Sequence, residues 1–176
     1  EMWDTFGQEL INRNMPATLF VDHKGLGAGG AISVEDMRLL QDNYGWDIAN
    51  HSWSHSDFTV LESEERIRDI TQMSSWMWQN GFEAWDIFAY PLGHYDAATI
   101  SDISPYLTVG RSVSGRNDTS YLVDPYRMAG RAVDLDVPLT AAQGWVDSAA
   151  TNKEVLIMTF HGVTDKPVPG EDLVWS

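Results

Sequence analysis

The sequence contains no cysteine. That excludes disulfides, thiolate metal sites and cysteine nucleophiles together, and it leaves the redox character of the compartment unreadable. Lysine is nearly as scarce, with Lys24, Lys153 and Lys166 the whole set. Basic residues number 11 against 26 acidic ones, for a net charge of −15. So acidic a chain lacks the basic surface that nucleic acid or an anionic membrane requires. Aspartate outnumbers glutamate, which together with the scarce lysine raises adaptation to high salt as a reading beside plain solubility. No apolar run approaches the roughly 20 residues that span a bilayer, so no transmembrane helix is expected, and no signal peptide is visible. A Gly-x-Ser-x-Gly nucleophile turn is also lacking, since Ser114-Gly115 lies in a polar stretch. Gly27-Ala28-Gly29-Gly30 is too irregular for a phosphate loop and has no lysine after it.

What is present fits a single globular domain over residues 1–176, with 43% hydrophobic residues and eight tryptophans to build a core. Trp3, Phe6 and Leu10 recur at helical spacing, and Asn14 with Pro16 closes that helix. Residues 17–21 form a continuous apolar run of the kind buried on both faces of a parallel sheet, ending on Asp22-His23. Ser33 with Asp36 reads as a helix start, Met37, Leu40 and Tyr44 as its buried stripe, and Gly45 as its stop. A strand at 46–49 leads to His51. The next helix begins near Ser63, with Glu64 and Glu65 in its first turn and Ile67, Ile70, Met73 and Met77 inward; Trp76 and Trp78 are counted with that packing stripe. Gly81 ends it. Further strands are expected at 87–90 and 106–109, the latter running out at Arg111, with a short helix from Asp96 between them. Residues 112–124 read as a surface loop and 127–135 as a weaker strand. Thr140 and Gln143 resemble a capping box for a helix carrying Trp145 and Val146, and a last strand at 155–160 delivers His161.

Strands alternating with helices imply a parallel sheet covered by helices. Asp22-His23, His51, His55, the Pro91 turn, Arg111 and His161 then all fall at carboxyl ends of strands, the face that carries chemistry in such folds. The pair His51 and His55 is the most informative. A spacing of four sets two side chains about 5–6 Å apart at Cβ on one side of a helical turn. Both rings can then reach one metal ion at about 2.0–2.1 Å, although two unrelated surface or capping histidines would share the spacing. A catalytic zinc takes three protein ligands, so a third must come from elsewhere. His161, at a strand end, suits proton donation to a leaving group, or equally a histidine satisfied by a backbone carbonyl. A metal pair plus a further histidine points to hydrolysis by metal-activated water.

At these residues the chain resembles the NodB-homology polysaccharide deacetylases of carbohydrate esterase family 4. His51-Ser52-Trp53-Ser54-His55 is similar to the family's His-[Ser/Thr]-x-x-His metal motif. Phe88-Ala89-Tyr90-Pro91-Leu92-Gly93 resembles its third motif, a wall of the cleft, and Met158-Thr159-Phe160-His161 its closing Leu-x-Leu-His motif. The resemblance implies a distorted, incomplete (β/α) barrel and a divalent metal, zinc first, held by an aspartate and two histidines, here His51 and His55. It makes His161 the general acid and the Leu92 N–H an oxyanion donor. It sets Tyr90 and Pro91 in the cleft wall, and Met158 and Phe160 around the acetyl methyl. Trp53 becomes a candidate for stacking on sugar faces, as does Trp145, for which core packing is the equal rival.

Two departures accompany the likeness. The family's first motif, Thr-Phe-Asp-Asp-Gly, which supplies the catalytic base and third ligand from the first barrel strand, has no match. The expectation is truncation at both ends, with the first strand missing; a degenerate, inactive relative is the alternative. The arginine frequent in the third motif is Ala89 here, so the group that orients the base must differ or be absent. Asp22 is a chemically suitable third ligand, but a rim carboxylate is the preferred reading. The expected function is metal-dependent hydrolysis of N-acetyl groups on an N-acetylglucosamine polysaccharide, extracellular or at the cell surface. The alternatives are an inactive carbohydrate-binding or structural module on the same scaffold, and an amidohydrolase of a small non-sugar amide.

Overall fold

The structure, a computed structural model, describes residues 7–26, 32–118, 124–134 and 136–161. Its strands are β1 (Thr18–Val21), β2 (Asp47–Asn50), β3 (Ala84–Ala89), β4 (Val109–Val113), β5 (Met128–Ala132) and β6 (Met158–Thr159). The helices are α1 (Gln8–Asn12), α2 (Val34–Tyr44), α3 (Ser63–Gln79), α4 (Ala97–Ile103) and α5 (Leu139–Asn152). Each strand pairs in parallel with the next, giving the order β1-β2-β3-β4-β5-β6. Sequential parallel order curls the sheet into a half-barrel, the incomplete α/β barrel that the family resemblance implies. All carboxyl ends therefore open on one face.

Local chemistry explains the elements that matter. Ser33 caps α2 by accepting a hydrogen bond from the Asp36 N–H at 3.1 Å, and Gly45 ends it at φ 66°, where a side chain would be strained. α3 starts at Ser63 as expected, with Glu62 as its cap: the Glu62 N–H donates to the Glu65 carboxylate at 3.1 Å. Met37 and Leu40 from α2 and Met73 and Met77 from α3 pack with Val21, Trp46, Ile48 and Phe82 into one core cluster. Phe58, Ile70, Phe88, Tyr90, Ile103 and Leu107 form a second beneath β3. Each such buried side chain contributes about 1.5–3 kcal/mol.

Several expectations shift. Trp78 is 70% exposed and Tyr44 is exposed, so neither belongs to the buried stripe of its helix. The fourth strand begins at Val109, three residues later than expected. Tyr106 is exposed, Leu107 closes the second core, and β4 runs from Val109 past Arg111 to Val113, which also shortens the expected loop. Thr140 lies inside α5, whose cap is Pro138 with no side-chain bond, so the capping box is not formed. The last strand is confined to β6, while Val155 makes an antiparallel bridge to Asp118. Trp3 and Phe6 lie outside the described residues.

Candidate active site

β2 ends on Asn50, which is fully buried and acts as a local anchor. Its Oδ1 accepts from the Ser52 N–H at 2.8 Å, and its Nδ2 donates to Ser74 Oγ at 3.0 Å. Ser52 Oγ in turn accepts from the His55 N–H at 2.8 Å, and Asp69 on α3 accepts from the N–H groups of Trp53 and Ser54 at 2.6 and 3.2 Å. These bonds hold Ser52 at φ 79° and His55 at φ 55°, so the segment is a knotted loop and not the helical turn that the spacing of four suggests. Backbone bonds fasten it to the segment after β1: His51 N–H to Val21 O at 2.9 Å, His23 N–H to Ser52 O at 3.3 Å and Lys24 N–H to Trp53 O at 3.1 Å.

The loop brings the two rings together by another route. His51 and His55 meet edge to face at 4.8 Å between centroids, with their Nε2 atoms 3.2 Å apart. His51 Nδ1 lies 2.9 Å from the Ala89 carbonyl, which fixes the proton on Nδ1 and turns the Nε2 lone pair toward His55. Burial pulls the His51 imidazole far below its usual range, to about 3; the Ala89 bond opposes this, and His55, Arg111 and His161 add to it. It is therefore a neutral imidazole at neutral pH, the form able to act as a ligand. Two nitrogens at a tetrahedral angle about 2.0–2.1 Å from zinc sit roughly 3.3 Å apart, so the pair fits two of the positions around such an ion. Among the described residues no third His, Cys, Asp or Glu joins them. Asp22 is not grouped with the pair; its Oδ1 closes a turn by accepting from the Gly25 N–H at 2.6 Å.

His51 opens on a cleft of about 200 Å³ lined also by Tyr90, Leu92, Arg111, Asp134 and His161. His161 thus faces the same space from the far end of the sheet. Burial lowers its pKa, Asp134 opposes that, and Arg111 and His55 reinforce it. Pro91 is buried in a 3-10 turn with Leu92 and Gly93, and Leu92 takes φ 58° there, exposing its side chain at the cleft edge. Tyr90 is part of the wall but 1% exposed, with its hydroxyl donating to Tyr126 O at 2.9 Å; Gly110 makes room for it, since a Cβ there would lie 2.6 Å from that oxygen. Met158 and Phe160 are half-buried and stand outside this lining. Trp53 also stands outside it. Its ring stacks on His23 at 3.5 Å and borders a second groove with Leu61, Glu65, Arg68 and Asp69. Trp145 carries the Arg131 guanidinium 4.9 Å over its ring.

Sequence reading missed Asn50 and Asp69 as holders of the histidine loop, and nothing local signals a bond that crosses from β2 to α3. It also missed Asp134, which the strand-end rule could have found beyond β5. Arg111 was noticed at a strand end but given no task; it sits in mid-strand, 7% exposed, opposite Ala89 in register.

An incomplete α/β barrel that carries a histidine pair and a third histidine at strand carboxyl ends belongs to the class of scaffold whose chemistry lies on that face. The polysaccharide deacetylase profile matches residues 2–106, and the chain belongs to that family. Among solved structures it is similar to the Streptococcus pyogenes deacetylase PplD in complex with acetate, with a TM-score of 0.73 and 11% identity over 82% of this chain and 64% of that one. A de-N-acetylase from Aggregatibacter actinomycetemcomitans gives 0.68 and 11%, covering 82% and 70%. A family 4 carbohydrate esterase from Streptomyces lividans in complex with acetate gives 0.51 and 19%, covering 85% and 81%. Identities this low establish the fold alone, and the chain spans under two thirds of the PplD structure. No curated protein sequence matches the chain. Among the described residues no helix is long and apolar enough to cross a membrane.

Proposed function

We propose that the chain is the core of a metal-dependent N-deacetylase acting on an N-acetylglucosamine-containing polysaccharide outside the cell or at its surface. The observation that carries this reading is the 3.2 Å approach of His51 Nε2 to His55 Nε2, with His51 Nδ1 engaged by Ala89. His51 and His55 would hold the ion. A divalent metal such as zinc supplies Lewis-acid polarisation of the acetyl carbonyl and activation of water. The chain's own residues divide the remaining work. The Leu92 N–H, in its left-handed turn at the cleft edge, is offered to the oxygen on which charge develops. His161 donates a proton to the departing amine nitrogen, and Asp134 favours the imidazolium required for that transfer. Tyr90 and Pro91 keep this wall rigid and dry.

The test is acetate release from acetylated chitooligosaccharides by the wild-type protein and by His55→Ala, with zinc titrated by calorimetry in parallel. Expected are zinc binding and release by the wild type, with both abolished in the variant. Equal release by both proteins rules out a metal site at the histidine pair. A second reading, a carbohydrate-binding module without catalysis, draws on the lack of a third ligand among the described residues. It predicts oligosaccharide binding with neither zinc uptake nor acetate release.

A further inference from the structure

The loop of the histidine pair and the turn around Leu92 are joined to each other at two levels. At the sheet, His51 Nδ1 bonds to the Ala89 carbonyl at 2.9 Å. Toward solvent, His94 Nδ1 stands 2.8 Å from Asp57 Oδ2. Asp57 lies two residues beyond His55, and His94 directly follows the 3-10 turn Pro91–Gly93 that presents the Leu92 N–H. An ionised carboxylate only accepts, so the proton of this outer contact sits on Nδ1 of His94.

Each end of the outer contact is itself anchored. Asp57 Oδ1 accepts from the Thr59 N–H at 2.9 Å and from Thr59 Oγ1 at 2.7 Å. That closes a short turn whose Phe58 is fully buried in the second core cluster. On the other side, the Gly93 N–H donates to Tyr90 O at 2.9 Å, and Tyr95 stacks on Tyr90 with centroids 5.0 Å apart. Asp96 then caps α4 by accepting from the Thr99 N–H at 2.7 Å. Between these fixed points Leu92 takes φ 58° with its side chain 47% exposed, so core packing does little to hold it. A left-handed residue other than glycine persists only where its surroundings over-determine it, and the His94 bond is one of those constraints.

Magnitude decides what the contact is for. The His94 side chain is 59% exposed, and an ion pair so open to solvent adds little to folding. Its effect on geometry is larger, because a hydrogen-bond donor stabilises developing charge only when it is already in place.

We propose that His94, held by Asp57, is a positioning residue that straps the Leu92 turn to the loop of the histidine pair and so sets where the Leu92 N–H points. The catalytic use of that N–H rests on the deacetylase reading above; the strap does not.

The full chain is compared with two variants. His94→Phe keeps a flat ring and loses the donor, whereas His94→Asn carries a side-chain amide where Nδ1 stood. The first measurement is hydrogen–deuterium exchange by NMR on the metal-free proteins. The Gly93 amide should exchange about fivefold faster in His94→Phe and near the wild-type rate in His94→Asn, while the Ile48 amide of β2 keeps its rate in all three. The second is acetate release from acetylated chitooligosaccharides. There His94→Phe should lower kcat about tenfold at unchanged KM, and His94→Asn should recover most of the rate. Unchanged Gly93 exchange in His94→Phe overturns the strap, as does a His94→Asn protein whose Gly93 exchanges as fast as in His94→Phe. A rise in KM at unchanged kcat overturns the positioning role and makes His94 a substrate contact. Should the wild type release no acetate, the deacetylase reading fails by itself, and Gly93 exchange still decides the strap.

Discussion

The bond from Ala89 to His51 Nδ1 and the burial of the ring act in opposite directions on protonation, and burial wins. The sign for stability follows. In the metal-free protein the unfolded chain takes up the proton first, near 6.5, whereas the folded ring resists it down to about 3. Stability is therefore complete above the upper value and falls as pH drops through that window, by roughly 1.4 kcal/mol per pH unit from this group alone. Urea denaturation at a series of pH values measures it, and His51→Gln should flatten the slope. Asn50 gives a second residue-scale expectation. Asn50→Ala leaves the Ser52 N–H without its acceptor and should cost about 1–3 kcal/mol in denaturant melts, and it should weaken the zinc binding proposed for the histidine pair. The spacing of His51 and His55 was legible from sequence; the backbone that makes them meet was not. Ser52 and His55 adopt left-handed conformations because Asn50, Ser74 and Asp69 hold them, and Ser74 and Asp69 lie on a helix about one to two dozen positions away.

Among the elements, α2 was the most readable, because its cap, stripe and stop are local chemistry. Ser33→Ala should lower stability by about 0.5–2 kcal/mol, and Gly45→Ala by about 1 kcal/mol, both read from chemical denaturation. β4 was the least readable, and the reason is physical. Its residues Gly110, Arg111 and Ser112 serve a polar cleft and the close approach of Tyr90, so a central strand carries none of the apolar continuity expected of one. The apolar run just before it, ending in Leu107, instead completes the core under α4. Strand propensity started the strand three residues early because here burial of a side chain and membership of the sheet are separate things.

For the molecule as a whole, alternating strands and helices sufficed to foretell a parallel sheet with its polar residues at one rim, and the strand order bears this out. What could not be read was which residues share a cleft; His51, Asp134 and His161 do, with Arg111 from mid-β4, while Trp53 and His23 stack beside a different groove. The net charge of −15 adds an expectation at this scale. Self-repulsion should make the fold melt at lower temperature in low salt than in molar salt, and calorimetric melts across that range test it. Against this repulsion stands the tie between α3 and α4, where Arg66 pairs with Asp102 at 2.7 Å and also donates to the carbonyls of Phe58 and Leu61.

The backbone bonds that stitch His51 to Val21, His23 to Ser52 and Lys24 to Trp53 carry the ladder of β1 and β2 past the ends of the strands. Amide protons in that stretch should exchange with deuterium as slowly as those of the sheet. A donor pair held so stiffly has little conformational freedom left to surrender, so the cation proposed for it would meet ligands already in their final pose.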